Sequence, residues 1–257
     1  MDKTLLKGLS MLETLVSSPG QSRSVEDVAA LTGLTRSNAH RTLQTLIGAG
    51  FVERDLVNGG YRNTLKMFEL GSKQLQSLDI RQQAQSHIAK LAKDTGETAH
   101  LSVLDGMDVI YIDKVESPQP IQAYSRIGGR GPAYAVATGK ALLAAQNENY
   151  LEAYQSELVG HTPQTIHELN ALRAELTKVK SAGYAVNRGE WRDGVGGLAS
   201  VIYNGFNLPV AAVGISGPLD RLSVSRMKDL APMVLMCSKA ISEALGYRPS
   251  SDRPLVN

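Results

Sequence analysis

Between Ser24 and Val52 the chain reads SVEDVAALTGLTRSNAHRTLQTLIGAGFV, and this stretch leaves little freedom of fold. Ser24 suits a helix N-cap, Asp27 the third helical position, and Val25, Val28, Ala29 and Leu31 supply an apolar side. Thr32, Gly33 and Leu34 make a turn. Thr35 then caps a second helix whose buried stripe is Ala39, Leu43, Leu46 and Ile47, ending at Gly50. Upstream, Leu5, Leu9, Leu12 and Val16 recur at helical spacing until SSPGQSRS stops them. Downstream, FVER and YRNT flank DLVNGG, where Asn-Gly-Gly marks a hairpin tip. Helix, helix, turn, helix, hairpin is the order of a winged helix-turn-helix, predicted over residues 1–64.

The outward side of the helix spanning 35–49 carries Arg36, Ser37, Asn38, His40, Arg41 and Gln44, and no acidic residue lies between Val28 and Val52. Such a face fits the major groove of B-DNA: Arg reads guanine, Asn and Gln read adenine, and Ser bonds either. Carboxylates there would be repelled by phosphates. In this geometry the N-terminal residues reach the bases, which assigns Arg36, Ser37, Asn38 and His40 to base contacts. Arg41 and Gln44, one turn later, reach phosphate or base. Thr35 and the free N–H groups beside it suit a phosphate oxygen. Arg54 and Arg62 on the wing suit the neighbouring backbone or minor groove. A solvated polar face is the plainer reading of one such helix; the whole set of helices, turn and wing weighs against it. Residues 1–74 hold nine basic and seven acidic side chains, so the entire +2 net charge lies there.

Residues 65–78 read as a linker helix. Asp79 opens an amphipathic helix with Ile80, Ala84, Ile88, Leu91 and Ala92 on one face. Strand patterns follow in TAHLSVLDG, DVIYIDKVE and IQAYSRI, the last leading into a Gly-rich loop. Helical segments are expected at 137–145, 149–156 and 167–182, then strands in YAVNRG, GLASVIY and LPVAAVGISG. A final helix over 223–245 contains Pro232, which should bend or restart it. The reading is α+β with two domains: an antiparallel sheet with packed helices over 79–247, and a loose tail at 248–257.

Several chemistries are disfavoured. Cys237 is the single cysteine, so an internal disulfide and a Cys-rich zinc site are ruled out and a reducing cytoplasm fits. The N-terminus lacks the apolar core of a signal peptide, and no apolar run approaches a membrane span. RGPAYAVATGKALLAA imitates a phosphate loop but lacks a glycine at Tyr134 and a hydroxyl at Ala141. His87, His100, His161 and His167 are scattered, with no metal-ligand spacing; His100 reads as a hydrogen-bonded structural residue. GISGP carries Ser216 without the spacing of a nucleophile elbow. No catalytic set, metal or cofactor is expected. The rival function is an enzyme domain that transforms a small molecule, fused to a DNA-binding head.

What remains is GGRGPAYAVATGKALLAA, NRGEWRDGVGG and GISGP. Glycines allow close approach of a ligand to backbone, and a helix starting near Ala137 offers N–H groups to an anion. Trp191 lies with Arg188 and Arg192 in one Gly-rich loop, a lining that suits a small carboxylate, aromatic ones included. The same glycines serve as plain turn formers and helix–sheet packing, and that alternative stays open.

Taken together, LLKGLSMLETL, GLTRSNAHRTLQTLIGAGFVER, GGRGPAYAVATGKALLA, SAGYAVNRGEWRDGVGGLASVI and AAVGISGPLDRL resemble, in order, the IclR family of bacterial transcriptional regulators. The resemblance implies a winged helix-turn-helix, a linker helix and an effector domain related to GAF and PAS folds. It implies a cytoplasmic homodimer or homotetramer on a palindromic double-stranded operator, acting as repressor of a catabolic operon under a small organic acid. It places the effector against Gly131, Ala137, Thr138, Asn187, Val195, Gly197, Gly214 and Ser216, with Trp191 added from the loop. Several members carry an acid at Asn187, a larger side chain at Gly197 and a hydroxyl at Gly214, so a roomier, less hydroxylated pocket is expected here.

Overall fold

The computed structural model describes residues 3–16, 22–76, 79–121, 125–152 and 158–248. It divides into two compact units, Met1–Ser77 and Leu78–Asn257.

In the first unit, α1 (Lys3–Val16), α2 (Val25–Thr32) and α3 (Arg36–Gly48) precede a hairpin of β1 (Val52–Arg54) and β2 (Tyr61–Asn63), then α4 (Lys66–Gln76). Ser24 and Asp27 form a reciprocal capping box at the start of α2. Gly33, at φ 66°, ends that helix in the left-handed region, where a side chain would be strained. Thr35 caps α3 through its hydroxyl, which accepts the Asn38 N–H. Met11, Leu12, Leu15, Val28, Ala29, Ala39, Leu43, Val52 and Tyr61 form the core. Burying a side chain such as Leu43 stabilises by about 1.5–3 kcal/mol. The buried side of α1 is thus Met11, Leu12 and Leu15; of the expected stripe, Leu5, Leu9 and Val16 are exposed.

The wing is braced at both ends. Asp55 accepts the N–H groups of Val57 (2.9 Å) and Asn58 (3.2 Å) and the Asn58 side-chain amide (2.8 Å). These bonds, the Asn58 amide foremost, hold the Asp55 carboxyl down to about 2. Tyr61 and Arg23 exchange backbone bonds, adding a third short pairing to the hairpin. A Cβ at Gly60 would fall 2.8 Å from the Arg23 carbonyl oxygen, so the close approach needs glycine.

The second unit opens with α5 (Asp79–Thr95), β3 (Thr98–Asp105), β4 (Asp108–Val115) and β5 (Arg130–Pro132). It continues through α6 (Ala137–Ala144), α7 (Glu148–Glu152), α8 (Leu169–Ala182), β6 (Ala185–Arg188), β7 (Val195–Tyr203), β8 (Pro209–Pro218) and α9 (Val224–Ala244). The six strands form one antiparallel sheet in the order β5-β4-β3-β8-β7-β6. Alternation divides its faces. Ala99, Leu101, Ile112, Leu198, Val213 and Ile215 belong to a core shared with α5 and α9, while Val109, Tyr111, Ala185, Ala199 and Ala212 pack with α6 and α8.

Some expectations shift. The Gly-rich loop contains the short edge strand β5, whereas the strand expected in IQAYSRI falls partly on residues 122–124, outside the described residues. The helix expected over 149–156 is described only as far as Glu152, and the tail lies outside the described residues beyond Arg248. Pro232 sits within α9 without restarting it. Cys237 is buried against α5, and burial pushes its thiol up to about 12.

Candidate nucleic-acid interface and ligand cavity

On α3, Arg36, Ser37, His40, Arg41 and Gln44 are exposed, as are Thr35 at its cap and Arg54 and Arg62 on the wing; Asn38 is half-buried. All the sequence-predicted contacts of this unit therefore lie on α3, its cap and the wing. Three of the arginines are occupied by intramolecular partners. Arg36 Nε lies 2.6 Å from Glu26 of α2, and Arg62 Nε 2.7 Å from Glu53 across the hairpin. Arg41 Nη2 donates to Asn38 Oδ1 at 2.9 Å. The carboxylate-free run from Val28 to Val52 did not reveal Glu26, which reaches across from the preceding helix. Both ion pairs are exposed and worth roughly 0.2–1 kcal/mol, so a phosphate can displace either acid.

In the second unit a cavity of about 40 Å³ lies between the sheet and the start of α6. Sheet register explains its floor. Asn187 pairs with Gly197, Gly197 with Ser216, and Ser216 with Thr98, making one row across four strands. In the adjacent row Ala199 pairs with Gly214 and Gly214 with His100. Of the nine sequence-predicted residues, Ala137, Thr138, Asn187, Trp191, Val195, Gly197 and Ser216 line the cavity. Gly131 and Gly214 are not in its lining. A Cβ at Gly131 would press the Trp191 ring at 3.3 Å, and one at Gly214 would meet the Leu198 carbonyl oxygen at 2.5 Å and Ala199 Cβ at 2.8 Å. The two strand glycines thus permit close packing of Trp191 and of β7 beside the cavity. Ser125, Thr138 and Ser216 bring hydroxyl-bearing side chains to the cavity lining, the last two as expected from the sequence and Ser125 in addition.

The sequence reading missed several lining residues. His100 and Tyr111 face the cavity from β3 and β4, Ser125 from the segment before β5, and Arg192 from the Trp loop. Strict alternation in TAHLSV carried the signal for His100, since it must point away from Ala99 and Leu101; Ser125 had none. His100 is not the hydrogen-bonded structural residue expected: its Nδ1 is buried without a partner. Burial, with Lys114 adding to it, lowers its pKa to about 4, so the ring is neutral near pH 7. Its ring meets Tyr111 edge-on at 5.1 Å, and Arg192 stacks over Trp191 at 4.5 Å. Among the described residues no carboxylate lines the cavity. Val136 provides no side-chain cap for α6, leaving the first N–H groups of that helix open.

The Trp loop is clamped from outside. Lys140, the lysine of the apparent phosphate loop, is fully buried, with Nζ 2.7 and 2.8 Å from the Glu190 oxygens and 3.5 Å from Glu175. Burial pushes Glu190 above the usual carboxylate range, and Lys140 opposes that shift. Asn187 Oδ1 accepts the Glu190 N–H at 2.9 Å; Thr165 and Thr162 donate to the carbonyls of Glu190 and Gly189, both at 2.6 Å. Gly139 lets α6 pass the preceding segment, since its Cβ would fall 2.2 Å from the Ala133 carbonyl oxygen.

A winged helix-turn-helix in one unit and a sheet enclosing a small cavity with a few polar groups in the other define a transcriptional regulator with a ligand-binding domain. Known proteins supply the family. "Bacterial transcriptional regulator IclR C-terminal" matches residues 72–243, and "IclR helix-turn-helix domain" matches residues 4–56. The HTH-type transcriptional regulator XynR of Escherichia coli (strain K12) is 35% identical over 227 residues, covering 87% of this chain and 89% of that protein. The acetate operon repressor of Salmonella typhimurium (strain LT2) is 32% identical over 248 residues, covering 95% and 90%. A crystal structure of an IclR homolog from Microbacterium hydrocarbonoxydans, complexed with 4-hydroxybenzoate, matches the fold with a TM-score of 0.82 at 24% identity, covering 95% of this chain and 99% of that one. The chain belongs to the IclR family of bacterial transcriptional regulators.

Proposed function

We propose that the protein represses a catabolic operon by binding a palindromic operator through Thr35, Arg36, Ser37, Asn38, His40, Arg41 and Gln44, with Arg54 and Arg62 on the wing. The observation that carries this reading is the solvent-facing side of α3, which holds donors and acceptors suited to base edges and no carboxylate of its own. The repressor name of the Salmonella relative supports the sign of regulation. A homodimer, alone or paired into a tetramer, would set two copies of α3 on two half-sites. Leu5, Leu6 and Leu9 on α1 and Met67, Phe68 and Leu70 on α4 are exposed apolar residues that a second copy would cover. Among the described residues no helix is long and apolar enough to cross a membrane, in keeping with action on cytoplasmic DNA.

The controlling ligand is a small organic acid in the cavity of the second unit. Its acid group suits the uncapped start of α6 at Ala137 and Thr138 and the Arg192 side, where no carboxylate opposes it. The complex named for the Microbacterium homolog lends support to a carboxylate ligand. Such a ligand acts only through its differential affinity for DNA-competent and DNA-incompetent arrangements. Full switching needs about 5.5 kcal/mol of preference. The segment 65–78 is the element through which half-site spacing would respond.

Asn38→Ala tests the base-reading helix. Operator binding should weaken by about 1–3 kcal/mol with the fold intact by circular dichroism. Unchanged affinity and sequence preference in a gel-shift titration would remove Asn38 from the interface.

A further inference from the structure

Buried polar atoms without partners are rare in folded proteins, and here they concentrate. Three of those found among the described residues, His100 Nδ1, Ser125 Oγ and Thr138 Oγ1, belong to residues that line the cavity beside Trp191. A fourth, Ser102 Oγ, lies two residues along β3 on the same face as His100. His100 is 5% and Thr138 1% exposed, so solvent does not meet them freely. They come from β3, the segment before β5 and α6, which makes a shared local cause within one element insufficient. Gly214, paired directly with His100 on β8, has no side chain that could satisfy the ring.

The chemistry of the set is neutral. A neutral imidazole has one donor and one acceptor, and a hydroxyl has both. The ring's neutrality follows from its burial beside Lys114. Such groups match a hydroxyl or carbonyl, whereas the features suited to an acid group, the open N–H groups of α6 and Arg192, border the same space. The T-shaped contact with Tyr111 favours this plane of the imidazole, which helps to orient its hydrogen-bonding direction towards the cavity.

We propose that His100, with the Thr138 and Ser125 hydroxyls, is the specificity-determining set of the cavity, hydrogen-bonding a hydroxyl or carbonyl that the effector carries in addition to its acid group. The proposal rests on the organic-acid reading above. It makes His100 a residue that distinguishes a hydroxy or keto acid from the plain acid of the same skeleton.

The test uses the full-length protein and matched probes titrated calorimetrically at pH 7: propionate against lactate and pyruvate, and benzoate against 4-hydroxybenzoate. In at least one set the oxygenated probe should bind the wild type at least about tenfold more tightly than its plain partner. His100→Phe, which keeps a ring and removes both nitrogens, should bring that ratio towards one. Thr138→Val, which removes the hydroxyl at nearly constant size, should lower it as well. Should His100→Phe fail to fold, the same ratio is read on Thr138→Val and on His100→Asn, which should retain part of the preference. Acids that bind the wild type without preference, or a preference untouched by these substitutions, overturn the role of His100 while the organic-acid reading stands. Failure of every probe to bind at millimolar concentration overturns the organic-acid reading itself, and this proposal with it.

Discussion

Lys140→Ala is expected to destabilise the ligand-binding unit by about 3–5 kcal/mol, because it strands a buried carboxylate. The ammonium of Lys140 meets both oxygens of Glu190, and both residues are buried. Removing it leaves the Glu190 carboxylate with the N–H of Arg188, a long bond at 3.3 Å. The sign of the pH dependence follows. Burial already raises the Glu190 pKa in the intact protein, and loss of the cation raises it further. The folded variant then takes up a proton more readily than the unfolded chain, so its deficit should shrink as pH falls towards 5. Lys140→Met combined with Glu190→Leu removes both charges and should recover most of the loss. Urea unfolding of the two variants and the wild type checks both statements. A single-variant loss below about 1 kcal/mol, independent of pH, would mean that water already shares the pair's charge.

The second large effect concerns acid. Between pH 6.5 and 4 the wild type should lose about 3 kcal/mol of stability through His100 alone. The direction comes from a folded pKa of about 4, below the ordinary value of 6.5. Above 6.5 the imidazole is neutral in both states, and nothing is lost. Below 6.5 the unfolded chain binds the proton that the folded site refuses, and the loss saturates near pH 4. The groups facing the ring reinforce this: Lys114 beside it on β4, the neutral Tyr111 phenol, and no carboxylate among the described residues of the cavity. Measured as the difference between wild type and His100→Phe, contributions from Asp55 and other carboxylates cancel. Parallel pH profiles for the two proteins would contradict the burial of a neutral ring.

How much of this was readable from the residues varied with the physical signal. Caps are local, and Ser24, Asp27, Gly33 and Thr35 act as their sequence positions suggest. The register of α1 was not legible, because Leu5 and Leu9 are as apolar as Met11 and Leu15; only tertiary packing decides which side is covered. The edge strand β5 hides in a Gly-rich segment, since three residues show no period and its pairing with β4 is long-range. Lys140 invited a nucleotide reading that failed on spacing, but its partner Glu190 lies 50 residues away and leaves no local trace. Glu26 was hidden by the same blindness, lying one helix before the face that it touches. The cavity was half legible. Trp191, Asn187 and Thr138 stood in recognisable Gly-rich stretches, whereas His100, Tyr111 and Ser125 enter only through sheet alternation and register.

The central claim, that α3 reads base edges in a duplex, is tested most directly by selecting binding sites from a pool of random double-stranded DNA. The expected product is an inverted repeat whose half-sites lie about one helical turn, roughly 10 base pairs, or a multiple of it apart. Its affinity should fall steeply with salt, and the preference within each half-site should relax for Asn38→Ala. Enrichment of no sequence, or of one whose half-site preference survives the loss of Asn38, Arg41 and Gln44 together, would contradict the account.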